Sequence, residues 1–306
     1  MSEGRHVPVL LEETLSLLDI QRAGIYIDGT IGLAGHASEI LKRNPKARLV
    51  GLDLDEQALL KSRELLRPYA GRVELYHADF RYILDLDIDF SGVRGILFDL
   101  GMSSFQLDTP ERGFSHSQDG PLDMRMDVRS KLTAAKILDN YSEAKLAHIF
   151  REYGELKQAG KLARQIASIR RTRKIESTVQ LRNIVEDVCR WIPQKGKIHP
   201  ASKVFQSLRI AVNRELDGLA EFFGRTIGLL HAGARIAVIS FHSLEDRIVK
   251  HTLAGLARPE NGEPTIDLLT KKPVTPTEEE VILNPRARSA KLRAARKRPH
   301  GPKKIS

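Results

Sequence analysis

Residues 25–36 read Ile25-Tyr26-Ile27-Asp28-Gly29-Thr30-Ile31-Gly32-Leu33-Ala34-Gly35-His36, an apolar strand entering a loop with glycine at every third position and then a helix. Glycine lacks Cβ, so such a loop can adopt left-handed backbone and bring main chain close to a ligand. Ala37, Ile40 and Leu41 give the helix one apolar face, and Asn44-Pro45 stops it. A second apolar strand ends in Asp53, 21 residues after Gly32. An acid about 20 residues past a glycine loop is placed to hold a ribose hydroxyl pair in doubly wound sheets. The motif therefore predicts a nucleoside cofactor, with an ordinary strand-to-helix turn as the alternative.

The first third continues in the same rhythm. Ile25–Asp28, Leu49–Asp53, Val73–His77 and Gly95–Leu100 read as strands, with helices at Ala34–Arg43 and Glu56–Leu66 between them. Alternation of this kind predicts an α/β fold with a parallel sheet. Ligands lie beyond the carboxyl ends of such strands. Asp28, Asp53, Asp79 and Asp99 all fall there. The next strand, Ala234–Ser240, comes some 135 residues after Asp99. That interval is too long for a plain crossover, so it predicts an inserted unit. Helical periodicity at Ala134–Phe150, Gln158–Arg171, Ser177–Cys189 and Ser202–Phe223 makes the insert mainly helical, with Ser177 as an N-cap. The organisation predicted is 1–108 and 208–306 for the α/β core, and 109–207 for the insert. Five prolines between Gly255 and Pro285 predict an extended connection, Ser289–Ala295 an edge strand, and Arg296–Lys304 a mobile basic tail.

Charge is segregated along the chain, which carries +10 overall. Residues 109–207 hold 19 Lys and Arg against 11 Asp and Glu, and residues 284–306 hold nine basic residues and no acid. Such an uneven distribution is the footprint of a polyanion partner, against the plainer reading of solvated surface charge. No apolar run is long enough to span a bilayer, and Glu12-Glu13 interrupt any signal-peptide pattern. The single cysteine, Cys189, excludes an intrachain disulfide and any cysteine-based zinc cluster, and suits a reducing cytoplasm. No metal-binding pattern is present among the ten histidines.

Glycines at 29, 32 and 35 do not match the Gly-x-Gly-x-x-Gly that seats a dinucleotide pyrophosphate on a helix N-terminus. S-adenosylmethionine has no phosphate and needs no such loop. Asp53 can serve its ribose, Phe80 can lie against its adenine, and Asp79 can accept from the adenine amine. Phe80 reads equally as core packing. His242 reads either as a general base or as a hydrogen-bonded structural residue. A nicotinamide oxidoreductase and a non-catalytic ribosome assembly factor are the rival classes.

Several longer stretches carry a resemblance. They are Asp28-Gly29-Thr30-x-Gly32-x-x-Gly35-His36, Asp99-Leu100-Gly101-x-Ser103-Ser104-x-Gln106-Leu107-Asp108, Arg112-Gly113-Phe114-Ser115 and residues 119–127. His199-Pro200-Ala201, residues 205–216, residues 240–250 and Asn284-Pro285-Arg286-Ala287-Arg288-Ser289 extend it to nearly the whole chain. In these motifs the chain resembles the bacterial 16S ribosomal RNA cytosine-N4 methyltransferases. The resemblance implies a Rossmann-like class I methyltransferase core with an inserted mainly helical domain, S-adenosylmethionine as donor, and 16S rRNA in the small ribosomal subunit as substrate. It implies cofactor contacts at Ala34, Gly35, His36, Asp53, Phe80, Asp99 and Gln106, with Asp99 the catalytic candidate. It leaves a homodimer open. Ala34 stands where the family commonly has glycine, Phe105 where it has proline, and His116 where it has another aromatic.

Overall fold

The computed structural model describes residues 8–192 and 198–299. The chain forms two compact units, one up to Gly101 and again from Gly218 onward, the other Met102–Asp217. The first unit begins with α1 (Leu11–Leu18), β1 (Gly24–Asp28), α2 (Gly35–Arg43), β2 (Ala47–Asp53), α3 (Glu56–Leu65), β3 (Val73–His77) and β4 (Val93–Asp99). The second unit contains α4 (Ser104–Asp108), α5 (Ala134–Asn140), α6 (Glu143–Glu152), α7 (Ala159–Ile169), α8 (Thr178–Cys189) and α9 (Pro200–Asn213). The first unit then resumes with α10 (Leu219–Leu229), β5 (Arg235–Ser240), α11 (Ser243–Ala257), β6 (Ile266–Leu268), α12 (Glu278–Leu283) and β7 (Lys291–Lys297).

The sheet runs β3-β2-β1-β4-β5-β7-β6. The five strands from β3 to β5 are parallel, and β7 and β6 join antiparallel. This is the Rossmann-like α/β arrangement expected from the sequence, with an antiparallel pair added at one edge. Alternation of side chains along each strand divides the core into two layers. Tyr26, Leu97, Ala237 and Ile239 face one, with Leu15, Ile40 and Leu41. Ile27, Ile96, Phe98, Ile236 and Val238 face the other, with Phe222, Phe223 and Leu253. Both faces are covered, so the central strands are apolar throughout. Strand order reverses between β1 and β4, which makes their carboxyl ends the expected ligand crevice.

The structure departs from the sequence reading at several points. Ser289–Ala295 was expected at an edge, but β7 lies between β5 and β6. The strand at that edge is β6, three residues inside the proline-rich stretch read as connection. Arg296 and Lys297 belong to β7, and the Arg298 amide donates to the Thr265 carbonyl, so these residues are not tail. The rest of the expected tail, from residue 300, lies outside the described residues. The helix expected over 134–150 breaks at Tyr141, because Ser142 caps a new helix by accepting from the Lys145 amide. The one expected over 202–223 breaks after Asn213, where Arg214 and Gly218 adopt left-handed backbone. Helix α9 also runs unbroken through Ser207, and the second unit reaches Asp217. Ser177 caps α8 through a reciprocal capping box with Gln180. Among the described residues no helix is long and apolar enough to cross a membrane.

Candidate active site

Three acids end three adjacent strands of the first unit: Asp28 on β1, Asp53 on β2 and Asp99 on β4. Asp28 is buried and accepts the Thr30 amide at 3.2 Å. Burial, with the Asp53 charge adding to it, pushes its carboxyl up to about 7. Asp53 accepts the Gly32 amide at 2.8 Å and the Asp55 amide at 2.9 Å. Those bonds only partly offset burial, and its carboxyl sits at about 6. Asp99 is raised well above the ordinary carboxylate range, first by burial, then by the charges of Asp28 and Glu245. Its Oδ1 is buried and has no hydrogen-bond partner among the described residues. Desolvated carboxylates held this close favour the neutral form, and a cation placed among them reverses that preference.

The loop over these acids is fixed largely by its own backbone. The Thr30 hydroxyl accepts the Asp99 amide at 2.6 Å, tying the β1 loop to the end of β4. Gly32 and Ala34 both take left-handed backbone, with φ of 51° and 57°. Ala34 is the N-cap of α2 yet offers no side-chain cap, so that helix start keeps amides for an outside acceptor. A Cβ on Gly35 would lie 2.5 Å from Pro8 Cγ, which gives this glycine a packing reason. His36 is buried, and its Nε2 lies 3.0 Å from the Val9 carbonyl. A carbonyl only accepts, so Nε2 carries a proton, while Nδ1 lies 3.9 Å from Asp99 Oδ2.

The remaining candidates divide. Phe80 follows β3, its ring 5.2 Å from Phe98 and 5.1 Å from Phe222 in an aromatic cluster. The ring is only partly buried. Asp79 is engaged by its near neighbour Arg81, which donates to both carboxylate oxygens. That pairing leaves Asp79 poorly suited to accept from adenine. Gln106 belongs to the second unit, where its side-chain oxygen accepts the Ser103 amide in a capping box. His242 is the N-cap of α11. Thr30 and Glu245 were not singled out from the sequence. Glu245 is buried and accepts the Phe241 amide at 3.0 Å. The Thr30 bond is tertiary, so no spacing rule exposes it, whereas Glu245 bonds an amide four residues back at the start of α11, a spacing that a helix-capping pattern exposes. Cys189 is half-buried on α8 with its thiol pushed up by burial, which suits an inert residue.

The family model of the MraW methylase family matches residues 3–298. The ribosomal RNA small subunit methyltransferase H of Trichodesmium erythraeum is 45% identical over 292 residues, covering 95% of this chain and 99% of that protein. The protein of the same name from a Cyanothece strain is 46% identical over 295 residues, covering 95% and 94%. That from Carboxydothermus hydrogenoformans is 44% identical over 313 residues, covering 96% and 98%. Among solved structures, an rRNA methylase from Streptococcus thermophilus superposes with a TM-score of 0.42 at 11% identity, covering 96% and 99%; the assignment rests on the sequence matches alone. With the family model spanning nearly its whole length, this chain belongs to the MraW methylase family.

Proposed function

We propose that this chain transfers a methyl group from S-adenosylmethionine to the exocyclic N4 amine of a cytosine in the decoding region of 16S rRNA, in the small ribosomal subunit of the cytoplasm. Family membership and the relatives' names support the methyl transfer and the ribosomal substrate. The observation that carries the site is Asp99, with a buried unpartnered oxygen at the strand-order reversal. That oxygen and two further acids pushed up by burial fit a cationic ligand.

When bound, the cofactor supplies a methyl group activated on a sulfonium. Asp53 keeps lone pairs beyond the two amides it accepts and takes the ribose hydroxyls. Phe80 offers its ring to adenine. The uncapped start of α2, at Ala34, Gly35 and His36, receives the amino-acid carboxylate. Asp28 would hold the ammonium, leaving the free oxygen of Asp99 for the reacting amine. A cytosine amine is conjugated to its ring and weakly nucleophilic, so it would shed a proton as the new C–N bond forms and the sulfonium C–S bond breaks to leave a neutral thioether. Asp99, ionised once the cofactor's positive charge lies beside it, would take that proton at its free oxygen. Gln106 is proposed as a cofactor contact on the resemblance alone. The basic helical insert would hold RNA phosphates, with the target base unstacked to reach the methyl donor.

The test is incubation with tritiated S-adenosylmethionine and either unmethylated small subunits or naked 16S RNA. Label recovered as N4-methylcytidine from subunits supports the proposal. Label in another nucleoside, or none in either substrate, overturns it.

A further inference from the structure

A groove of about 440 Å³ opens on the second unit, far along the chain from the acids of the sheet. It is lined by Tyr141 at the end of α5, by Lys145 and His148 along α6, by Tyr153 just after it, and by Ile210 and Arg214 from α9 and the turn after it. Ile149 and Ile210 are buried and form an apolar floor. Tyr141 and Tyr153 are half-buried, while Lys145, His148 and Arg214 are exposed. Lys145 Nζ stands 5.5 Å from the Tyr141 ring centre, and the His148 and Tyr153 rings lie 6.5 Å apart, edge to face. The one acid in the lining is Asp217, 3.9 Å from the Arg214 guanidinium.

Three rings over an aliphatic floor make a surface for a flat apolar face. Two cations at the rim make it a surface whose ligand also carries negative charge. Aromatic platforms combined with Lys and Arg are how proteins hold single-stranded nucleic acid, because every base has a π-face and every nucleotide a phosphate. A lipid would leave the ring edges and Asp217 without a use, and a simple anion would leave the floor without one. Asp217 supplies an acceptor that suits the exocyclic amine of a base.

We infer that this groove is a nucleotide-binding subsite that stacks an unpaired RNA base on Tyr153, with His148 and Tyr141 along its edges, and holds its phosphates with Lys145 and Arg214. The inference rests on the proposed RNA substrate and deepens it, by placing a second RNA contact outside the methyl-transfer site. A base–aromatic stack is worth about 1–3 kcal/mol on alanine substitution, which corresponds to roughly 5- to 150-fold in affinity. Each phosphate contact on a single strand adds about 0.7 to the slope of log affinity against log salt.

The experiment is fluorescence anisotropy of the full chain with a fluorescein-labelled hexacytidylate strand over a salt series. Tyr153→Ala should weaken binding about fivefold or more with the salt slope kept, and Tyr153→Phe should restore it. His148→Ala, at an exposed position that leaves the floor intact, should weaken it in the same direction. Lys145→Ala should make the slope shallower by about 0.7. Wild-type protein that fails to bind the strand, or equal affinity and slope in all variants, overturns the inference. Methyl transfer to small subunits by the wild type is measured alongside. If strand binding responds as stated while the wild type methylates nothing, the subsite stands and the functional reading falls. If the wild type methylates and the strand is indifferent to every variant, the subsite falls alone.

Discussion

Asp28→Asn changes one atom and removes a buried charge, so its effect on stability can be worked from the structure. The wild-type carboxyl sits at about 7 in the fold against an ordinary value of 3.8. Each unit is worth about 1.4 kcal/mol, so a gap of roughly three units sets a ceiling of about 4 kcal/mol. The sign follows from proton counting. Between pH 4 and 7 the folded chain keeps a proton that the unfolded chain has lost. Stability from this group therefore falls as pH rises through that window, and the penalty is complete above 7. Asparagine is neutral in both states and keeps an oxygen to accept the Thr30 amide. Urea unfolding followed by far-ultraviolet circular dichroism should then show little difference at pH 4. By pH 8 the variant should be more stable, by up to about 4 kcal/mol. The same variant should bind S-adenosylmethionine less well, since a counter-charge for its cationic groups is gone. A stability difference that stays flat from pH 4 to 8, or a variant less stable at pH 8, would refute the account of Asp28 as a desolvated carboxylate.

Other perturbations test other parts of the site. Asp99→Asn should lower methyl transfer at least a hundredfold while calorimetry shows cofactor affinity changed far less; parallel loss of both would leave Asp99 a binding residue only. Ala34→Gly should stabilise the fold by about 1 kcal/mol, because a Cβ at φ 57° costs that much, and an unchanged unfolding midpoint would count against strain there. Gly29→Ala should destabilise by about 1–3 kcal/mol, since its Cβ would press within 2.4 Å of the buried Phe98 ring; a neutral effect would mean that the ring moves freely. Proton release on cofactor binding near pH 6.5, read by calorimetry in buffers of different ionisation enthalpy, should be positive, because a cation lowers the raised carboxyls. Zero release would argue against the cation lying among them.

What was legible in the sequence is what repeats or alternates. Strands β1 to β5 announced themselves as apolar runs bounded by acids and turns, because both faces of a parallel sheet are buried. β6 was missed because three residues among prolines show no period, and it exists only by pairing with β7. The helix breaks at Tyr141 and after Asn213 were missed because apolar spacing continues across them, while the caps that end the helices are single residues. At the site, Asp53 was readable from its distance to the glycine loop. Thr30 was not, because its partner is the Asp99 amide, 69 positions away. The Asp79–Arg81 pair was not readable either, because a strand-end acid looks the same in sequence whether or not a neighbouring Arg folds back onto it.

The placement of the second unit between β4 and β5 has a consequence for how the chain is made. In the finished sheet β4 is flanked by β1 and β5, with Asp99 paired to Ile239. On the ribosome β1 to β4 emerge first, and β5 follows only after about 135 further residues. At ordinary elongation rates that is on the order of ten seconds. During that interval one edge of β4, with Ile96, Leu97 and Phe98 along it, has no strand to pair with. The helical unit can complete its own local contacts in the meantime, whereas the sheet waits. Slower translation through residues 102–217 lengthens that exposure, so the yield of folded protein should depend on codon speed there and on a chaperone able to cover an open strand edge.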